Sequence, residues 1–249
     1  MRLTTAINRA GVTIHTMNPV HGRGPVFYTS TACANQALKG SEADGTGNKQ
    51  RLVSTLWDHL AASESPLWKL STSSNKDDYP IQVFSGLLGR PRLMLGEERG
   101  PAISFSTCGG RVWAALCGDE SDIGIDVAGS DEFQGDYPYQ RVFHPEELEH
   151  ALKLTGGVLE EASALLWTIK EAAVKALGCA FHLVGPLQIT VYPLVECSGG
   201  GYTFPVGLSG KSLARFPLIA GQPLRVRSLP HDSLWLSIAL VTRRPTSHE

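Results

Sequence analysis

Between Val158 and Leu177 the apolar residues Leu165, Ile169, Ala173 and Leu177 recur every four positions, and no proline interrupts the span. That period predicts a helix with one buried stripe, built largely from Ala, Leu, Glu and Lys, which favour helix. Gly178 stands where a left-handed residue closes a helix. Trp167, Glu171 and Lys175 are also four apart, so they share a second stripe. A shorter helix is predicted from Lys49 to Ala62, with Leu52, Val53, Leu56, Trp57 and Leu60 on its buried face. Around the helices lie short alternating or apolar runs that predict strands. These are Val12–Ile14, Val26–Tyr28, Ile81–Phe84, Ala102–Ser106, Arg111–Cys117, Ile123–Val127, Leu187–Tyr192, Tyr202–Val206, Leu224–Ser228 and Leu234–Val241. Cys108-Gly109-Gly110 predicts a hairpin, and Pro145 marks the first residue of a helix.

Each half therefore reads as a helix followed by hairpins, an α+β pattern with a boundary near Gly118–Ser121. The expected division is an N-terminal lobe, 1–119, and a C-terminal lobe, 120–249. Residues 1–48 carry the weakest pattern, and Gly40–Asn48 reads as a mobile loop. Trp113-Ala114-Ala115-Leu116 late in the first half echoes Trp235-Leu236-Ser237-Ile238 late in the second.

The 249 residues are 42% hydrophobic and 18% charged, enough apolar content for a sizeable core, and the net charge of −2 gives no general nucleic-acid signal. The five cysteines contain no C-x-x-C pair, so neither a zinc site nor a disulfide framework is indicated, and they read as thiols in a reducing cytoplasm. The first residues lack a signal-peptide core, and no apolar run is long enough to span a bilayer. P-loop, dinucleotide and nucleophile-elbow motifs are absent from the sequence.

Three stretches carry candidate chemistry. Asp126 interrupts a Val/Ile-rich strand, where burial is costly unless the carboxylate is paired or bound to metal. Glu147 lies in the first turn after Pro145, where a helix N-terminus favours a carboxylate in any case. Glu171 and Lys175 are an i,i+4 pair, alone worth about 0.2–0.5 kcal/mol. Gly124-Ile125-Asp126, then Phe143-His144-Pro145-Glu146-Glu147, then Trp167-Thr168-Ile169-Lys170-Glu171 continuing to Lys175 keep the order and spacing of three family motifs. Together they resemble the 4'-phosphopantetheinyl transferase superfamily, of the longer, two-lobed Sfp type.

That resemblance implies an α+β fold of two similar lobes about a pseudo-twofold axis, each a mainly antiparallel sheet packed with a long helix, with the active site in the cleft between them. It implies a cytoplasmic, monomeric, magnesium-dependent enzyme moving the 4'-phosphopantetheine of coenzyme A onto a serine of an acyl or peptidyl carrier protein. Asp126 and Glu171 would hold Mg2+, Lys175 would steady the pyrophosphate, and Glu147 would accept the serine proton, with Lys170 in support. Arg90, in a Gly89-Arg90-Pro91 turn, and Ser104, Phe105 and Ser106 match nucleotide-binding positions. Arg51 matches a basic residue near the phosphates and reads equally as a solvated arginine. The chain departs from the pattern at Ala128, where many members have a second acid, and at Ala102 and Phe105, where an Asn and a phosphate-binding His are usual. These departures keep open an alternative: a relative that binds a carrier protein or a coenzyme A-like ligand without transfer.

Overall fold

The computed structural model describes residues 4–9, 12–17, 25–33, 43–62, 81–118, 121–179, 181–217 and 223–242. The first half contains β1 (Thr4–Arg9), β2 (Val12–Met17), β3 (Val26–Ala32), α1 (Ala43–Ala62), β4 (Ile81–Ser85), β5 (Pro91–Leu95), β6 (Glu98–Arg99), β7 (Ala102–Cys108) and β8 (Arg111–Cys117). The second contains β9 (Ser121–Gly129), α2 (Tyr139–Val142), α3 (Pro145–Leu154), α4 (Leu159–Ala176), β10 (Ile189–Val191), β11 (Glu196–Ser198), β12 (Gly201–Leu208), α5 (Gly210–Arg215), β13 (Leu224–His231) and β14 (Leu234–Thr242).

Two antiparallel sheets organise the α+β fold. One runs β1-β2-β3-β8-β7, the other β10-β12-β13-β14-β9 with β11 added on β12, and a small β4-β5-β6 sheet stands apart. Period-two alternation in the strands divides the core into layers. Ile14, Ile103, Val112 and Ala114 face α1 and its Leu52, Val53 and Leu56. Met17, Trp113, Ala115 and Cys117 of the first sheet meet Ile123, Ile125, Val127, Leu236 and Ile238 of the second. Ala128, Val226 and Ala239 face α4. Each sheet thus carries one long helix outside and meets the other sheet inside.

The edge strands β7 and β9 adjoin at this meeting. The Ile125 and Val127 amides donate to the hydroxyls of Ser104, at 3.1 Å, and Ser106, at 3.2 Å. Two serines therefore satisfy backbone donors that an unpaired sheet edge would leave open.

Several boundaries differ from expectation. Helix α1 begins at Ala43, so 43–48 are helical and not part of a loop, while 40–42 lie outside the described residues. Packing of the Leu52–Leu60 face carries the helix back through Gly45 and Gly47, at about 1 kcal/mol of propensity each. Residues 119–120 at the lobe boundary lie outside the described residues. The strand expected over 187–192 shortens to β10, because Pro186–Gln188 forms a 3-10 turn. The Gly109–Gly110 turn joins β7 to β8 with both φ positive, at 58° and 66°, as a two-residue hairpin turn requires.

Candidate active site

Helix α4 approaches β9 closely because Gly124 has no side chain. A Cβ there would stand 2.0 Å from the Ala172 carbonyl oxygen. Ala172, Ala173 and Ala176 supply the small helix face that makes this contact possible. The C-terminal end is fixed as a Schellman turn, with the Cys179 amide donating to Val174 O and the Gly178 amide to Lys175 O, both at 3.0 Å, and Gly178 at φ +76°.

That seating brings Lys175 onto β9. Its Nζ donates to Asp126 Oδ1 at 2.7 Å and to Ile125 O at 3.3 Å, and lies 3.5 Å from Glu171 Oε2. Ser106 donates to the same Asp126 oxygen at 2.9 Å. Burial pushes the Asp126 carboxyl up to about 6, against the pull of Lys175, and the Glu171 carboxylate adds to the rise. Burial also opposes the Lys175 charge, but Asp126 and Glu171 outweigh it and hold its pKa above the ordinary value. Two carboxylates sharing one ammonium leave a net negative centre that favours further positive charge.

Beside this centre opens a cleft of about 390 Å³. Lys175 lines it from α4, Gly178 and Cys179 from the turn that closes α4, Lys49 and Gln50 from α1, Val83, Phe84 and Ser85 from β4, and Ser104 and Phe105 from β7; Leu88 and Arg90 rise from the β4–β5 turn. Three cations, Lys49, Arg90 and Lys175, thus face one space from three elements, while the rest of the wall is largely apolar. Lys49 Nζ lies 5.7 Å from the Phe105 ring centroid. Arg90 packs against Gly178, where any Cβ would meet Nη1 at 2.4 Å, and pairs with Asp122 at 2.8 Å. The Arg90 charge is therefore partly neutralised.

The expected site residues separate in space. Asp126, Glu171 and Lys175 converge, and Arg90, Ser104 and Phe105 line the cleft beside them. Arg51 is exposed and does not line the cleft; Lys49 takes that place. Helix spacing explains the correction, since Lys49, Val53 and Leu56 share a face that Arg51 does not. Ser104 and Ser106 accept the Ile125 and Val127 amides and form a seam between the sheets, with Ser106 also donating to Asp126, while Ser104 lines the cleft as well.

Glu147 is also reassigned by its surroundings. It is 2% exposed and pairs with Lys170 at 2.8 Å. One oxygen accepts the Val191 amide at 2.7 Å, the other the His144 amide at 2.9 Å. Lys170 donates further to Val142 O and Pro186 O, and burial lowers its pKa although Glu147 opposes the shift. The pair fastens α3, α4 and β10 together. Glu147 is enclosed in this network and is not among the residues that line the cleft. Sequence could not show this, because Val191 lies 44 positions away.

Comparison with known proteins bears on this geometry. Residues 122–204 match the family model of the 4'-phosphopantetheinyl transferase superfamily. The matched stretch contains Asp126, Glu147, Lys170, Glu171 and Lys175, and leaves out the α1 and β4–β7 walls of the cleft. Among solved structures the chain is similar to the holo-[acyl-carrier-protein] synthase (AcpS) of Thermotoga maritima, at 20% identity and a TM-score of 0.34, over 49% of this chain and 63% of that one. The chain thus spans less than two thirds of that protein's length. No curated protein matches the chain.

The superfamily implies a divalent metal. Among the described residues no group of three or more His, Cys, Asp and Glu side chains could hold one, in keeping with Ala128. The donor set still fits magnesium, which takes hard oxygens and usually needs only one or two carboxylates beside phosphate oxygens and water. Asp126 and Glu171 are such a pair, and their net negative charge with Lys175 suits a cation. No helix among the described residues is long and apolar enough to cross a membrane.

Proposed function

We propose that this protein is a two-lobed, Sfp-type 4'-phosphopantetheinyl transferase that moves the phosphopantetheine arm of coenzyme A onto a serine of a carrier protein. The observation that carries the reading is the meeting of Asp126, Glu171 and Lys175 at the edge of a cationic cleft, within a stretch that matches the superfamily model. Lys49, Arg90 and Lys175 provide positive charge for a ligand with a pyrophosphate and a further phosphate. Asp126 and Glu171 would hold magnesium, which when bound neutralises charge on the pyrophosphate.

Lys175 is placed to steady the pyrophosphate as charge shifts toward the leaving group. The serine oxygen forms a bond to the β-phosphorus, the phosphorus–oxygen bond to the leaving phosphate breaks, and adenosine 3',5'-bisphosphate departs with the electron pair. The hydroxyl proton passes to solvent water. Both walls of the cleft come from one chain, which supports a monomer.

A specific observation favours a second reading: with Ala128 and Phe105 in place of the usual acid and His, the protein would bind carrier or donor without transfer. Incubation with apo carrier protein, coenzyme A and magnesium distinguishes the two. A carrier mass increase equal to phosphopantetheine is expected. Donor binding without any mass increase would overturn transfer and leave the binding reading.

A further inference from the structure

Four rings gather where the two main sheets meet, away from the cleft. Alternation on β2 turns His15 to the same side as Met17, and alternation on β13 turns His231 to the same side as Leu229. Met17 and Leu229 both belong to the core between the sheets, so each sheet sends one histidine toward that layer. The His15 ring stacks on Tyr28, its partner on β3, with centroids 4.9 Å apart and planes 15° from parallel. The His231 ring stands at 90° to Trp113 of β8, with centroids again 4.9 Å apart. The two imidazole centroids are 6.1 Å from each other. Tyr28 and Trp113 are buried and both histidines are half-buried. Trp113 Nε1 has no hydrogen-bond partner among the described residues, so ring packing is what holds it against His231. None of the four residues lines the cleft.

We propose that His15 and His231 form a pH-sensitive clasp between the two sheets, closed while at most one imidazole is charged and loosened when both are. The charged and titratable neighbours can be named element by element among the described residues. β1 sets Ala6 opposite His15 and adds no charge there. Tyr28 on β3 is pushed up to about 12 by burial and stays neutral. Arg111 on β8, 5.9 Å from the Trp113 ring, is bonded to Ser30. Asp131 and Glu132 stand beyond Leu234 at the end of β9, where Glu132 takes the Gly129 amide and the Cys108 thiol. Asp232 Oδ2 lies 4.0 Å from His231 Nε2, but its side chain is 93% exposed. One proton on the pair is accommodated, because Tyr28 and Trp113 present ring faces that attract a cation. A second puts two like charges 6.1 Å apart in a half-buried layer, and a solvated carboxylate offsets little of that repulsion. Burial, with the His231 charge adding to it, holds the His15 pKa below its ordinary 6.5. Folded His15 thus binds its proton less tightly than the unfolded chain does, so its share of stability is complete above pH 6.5 and is lost as pH falls. The hairpin that carries His231 continues into β14, the neighbour of the Asp126 strand. The clasp stands independently of the transferase reading.

Hydrogen exchange of backbone amides, read by mass spectrometry on the metal-free chain at about pH 5 and about pH 7.5 and corrected for the intrinsic pH dependence of exchange, measures the opening. In the wild type, β2 and the β13–β14 turn should open about tenfold more at the lower pH, the order expected of two charges 6.1 Å apart at a half-exposed site. His15→Phe and His231→Phe each keep a ring in the contact and remove one charge, and in both the difference should vanish. His231→Gln repeats the measurement with a polar side chain of different shape. Protonation of Asp126 stabilises the fold over the same range, so the quantity compared is the difference between wild type and variant. Histidine side-chain NMR gives an independent reading: the His15 midpoint should rise toward 6.5 when His231 is replaced. Equal opening at the two pH values in the wild type, a difference that survives loss of either histidine, or an unmoved His15 midpoint would overturn the clasp.

Discussion

Gly124→Ala tests how the chemistry depends on the seating of α4. The added Cβ would stand 2.0 Å from Ala172 O and 2.6 Å from Ala176 N. Both obstacles are helix backbone and cannot swing aside, so α4 has to rise by about 1 Å in a core with no spare volume. The Lys175–Asp126 bond, 2.7 Å long, then passes beyond ordinary hydrogen-bond length, which ends near 3.2 Å. Overpacking of this kind costs about 1–3 kcal/mol, and displacing a catalytic group by about 1 Å can cost roughly a hundredfold in rate. Urea titration should show the loss in stability, and carrier mass gain at saturating coenzyme A should show turnover down by about two powers of ten. Gly47→Ala is the control. It is a helical glycine with nothing within 4 Å of a new Cβ, and it should gain up to about 1 kcal/mol. Wild-type stability and turnover in Gly124→Ala would refute the claim that this approach positions Lys175.

Three further outcomes are expected. Because the Asp126 carboxyl is raised to about 6 in the fold, the native state holds its proton more tightly than the unfolded chain. Without divalent metal, stability should therefore fall as pH rises from about 4 to above 6, by up to roughly 3 kcal/mol; Asp126→Asn should flatten that slope in pH-dependent urea melts, and an unchanged slope would contradict it. Lys170→Met should cost about 3–5 kcal/mol by stranding buried Glu147, with much of the loss recovered in the double variant carrying Glu147→Gln; a double-mutant cycle showing no coupling would undo the pairing argument. Lys49→Ala should weaken coenzyme A binding about ten- to a hundredfold, as expected on losing a charge-assisted contact, whereas Arg51→Ala should leave it unchanged; calorimetry giving the reverse order would restore Arg51 to the site.

The α4 period was legible because it depends only on residues three and four apart, and the same arithmetic set Glu171 beside Lys175. The strand alternation of 123–127 likewise separated Asp126 from Ile125 and Val127. What stayed hidden depends on contacts distant in sequence. Alternation put Ser104 and Ser106 on one side of β7 and Phe105 on the other, yet nothing local says that the serine side meets β9 and the phenyl side meets α1. Gly124 was legible as the start of a motif, but its packing reason lies with Ala172, 48 positions away. Gln50 carried no motif at all, and its bond to Ile81 spans 31 positions.

The two lysines of α4 show why one helix can serve both structure and chemistry. Lys170 is fully buried, and its ammonium is spent on Glu147, Val142 O and Pro186 O. Lys175, more than one turn on, keeps 27% of its side chain exposed at the cleft. A charge is useful to a reacting phosphate only if its position is already fixed, because the cost of orienting it then falls outside the reaction step. The Lys170–Glu147 pair holds α4 against α3 and β10, Gly124 sets its height above β9, and the turn at Gly178 fixes its end against Arg90. With the helix held at these three places, the mobility left to Lys175 is that of its own side chain, and Asp126 and Glu171 restrain that. The buried lysine thus helps fix the helix from which the other reaches the cleft.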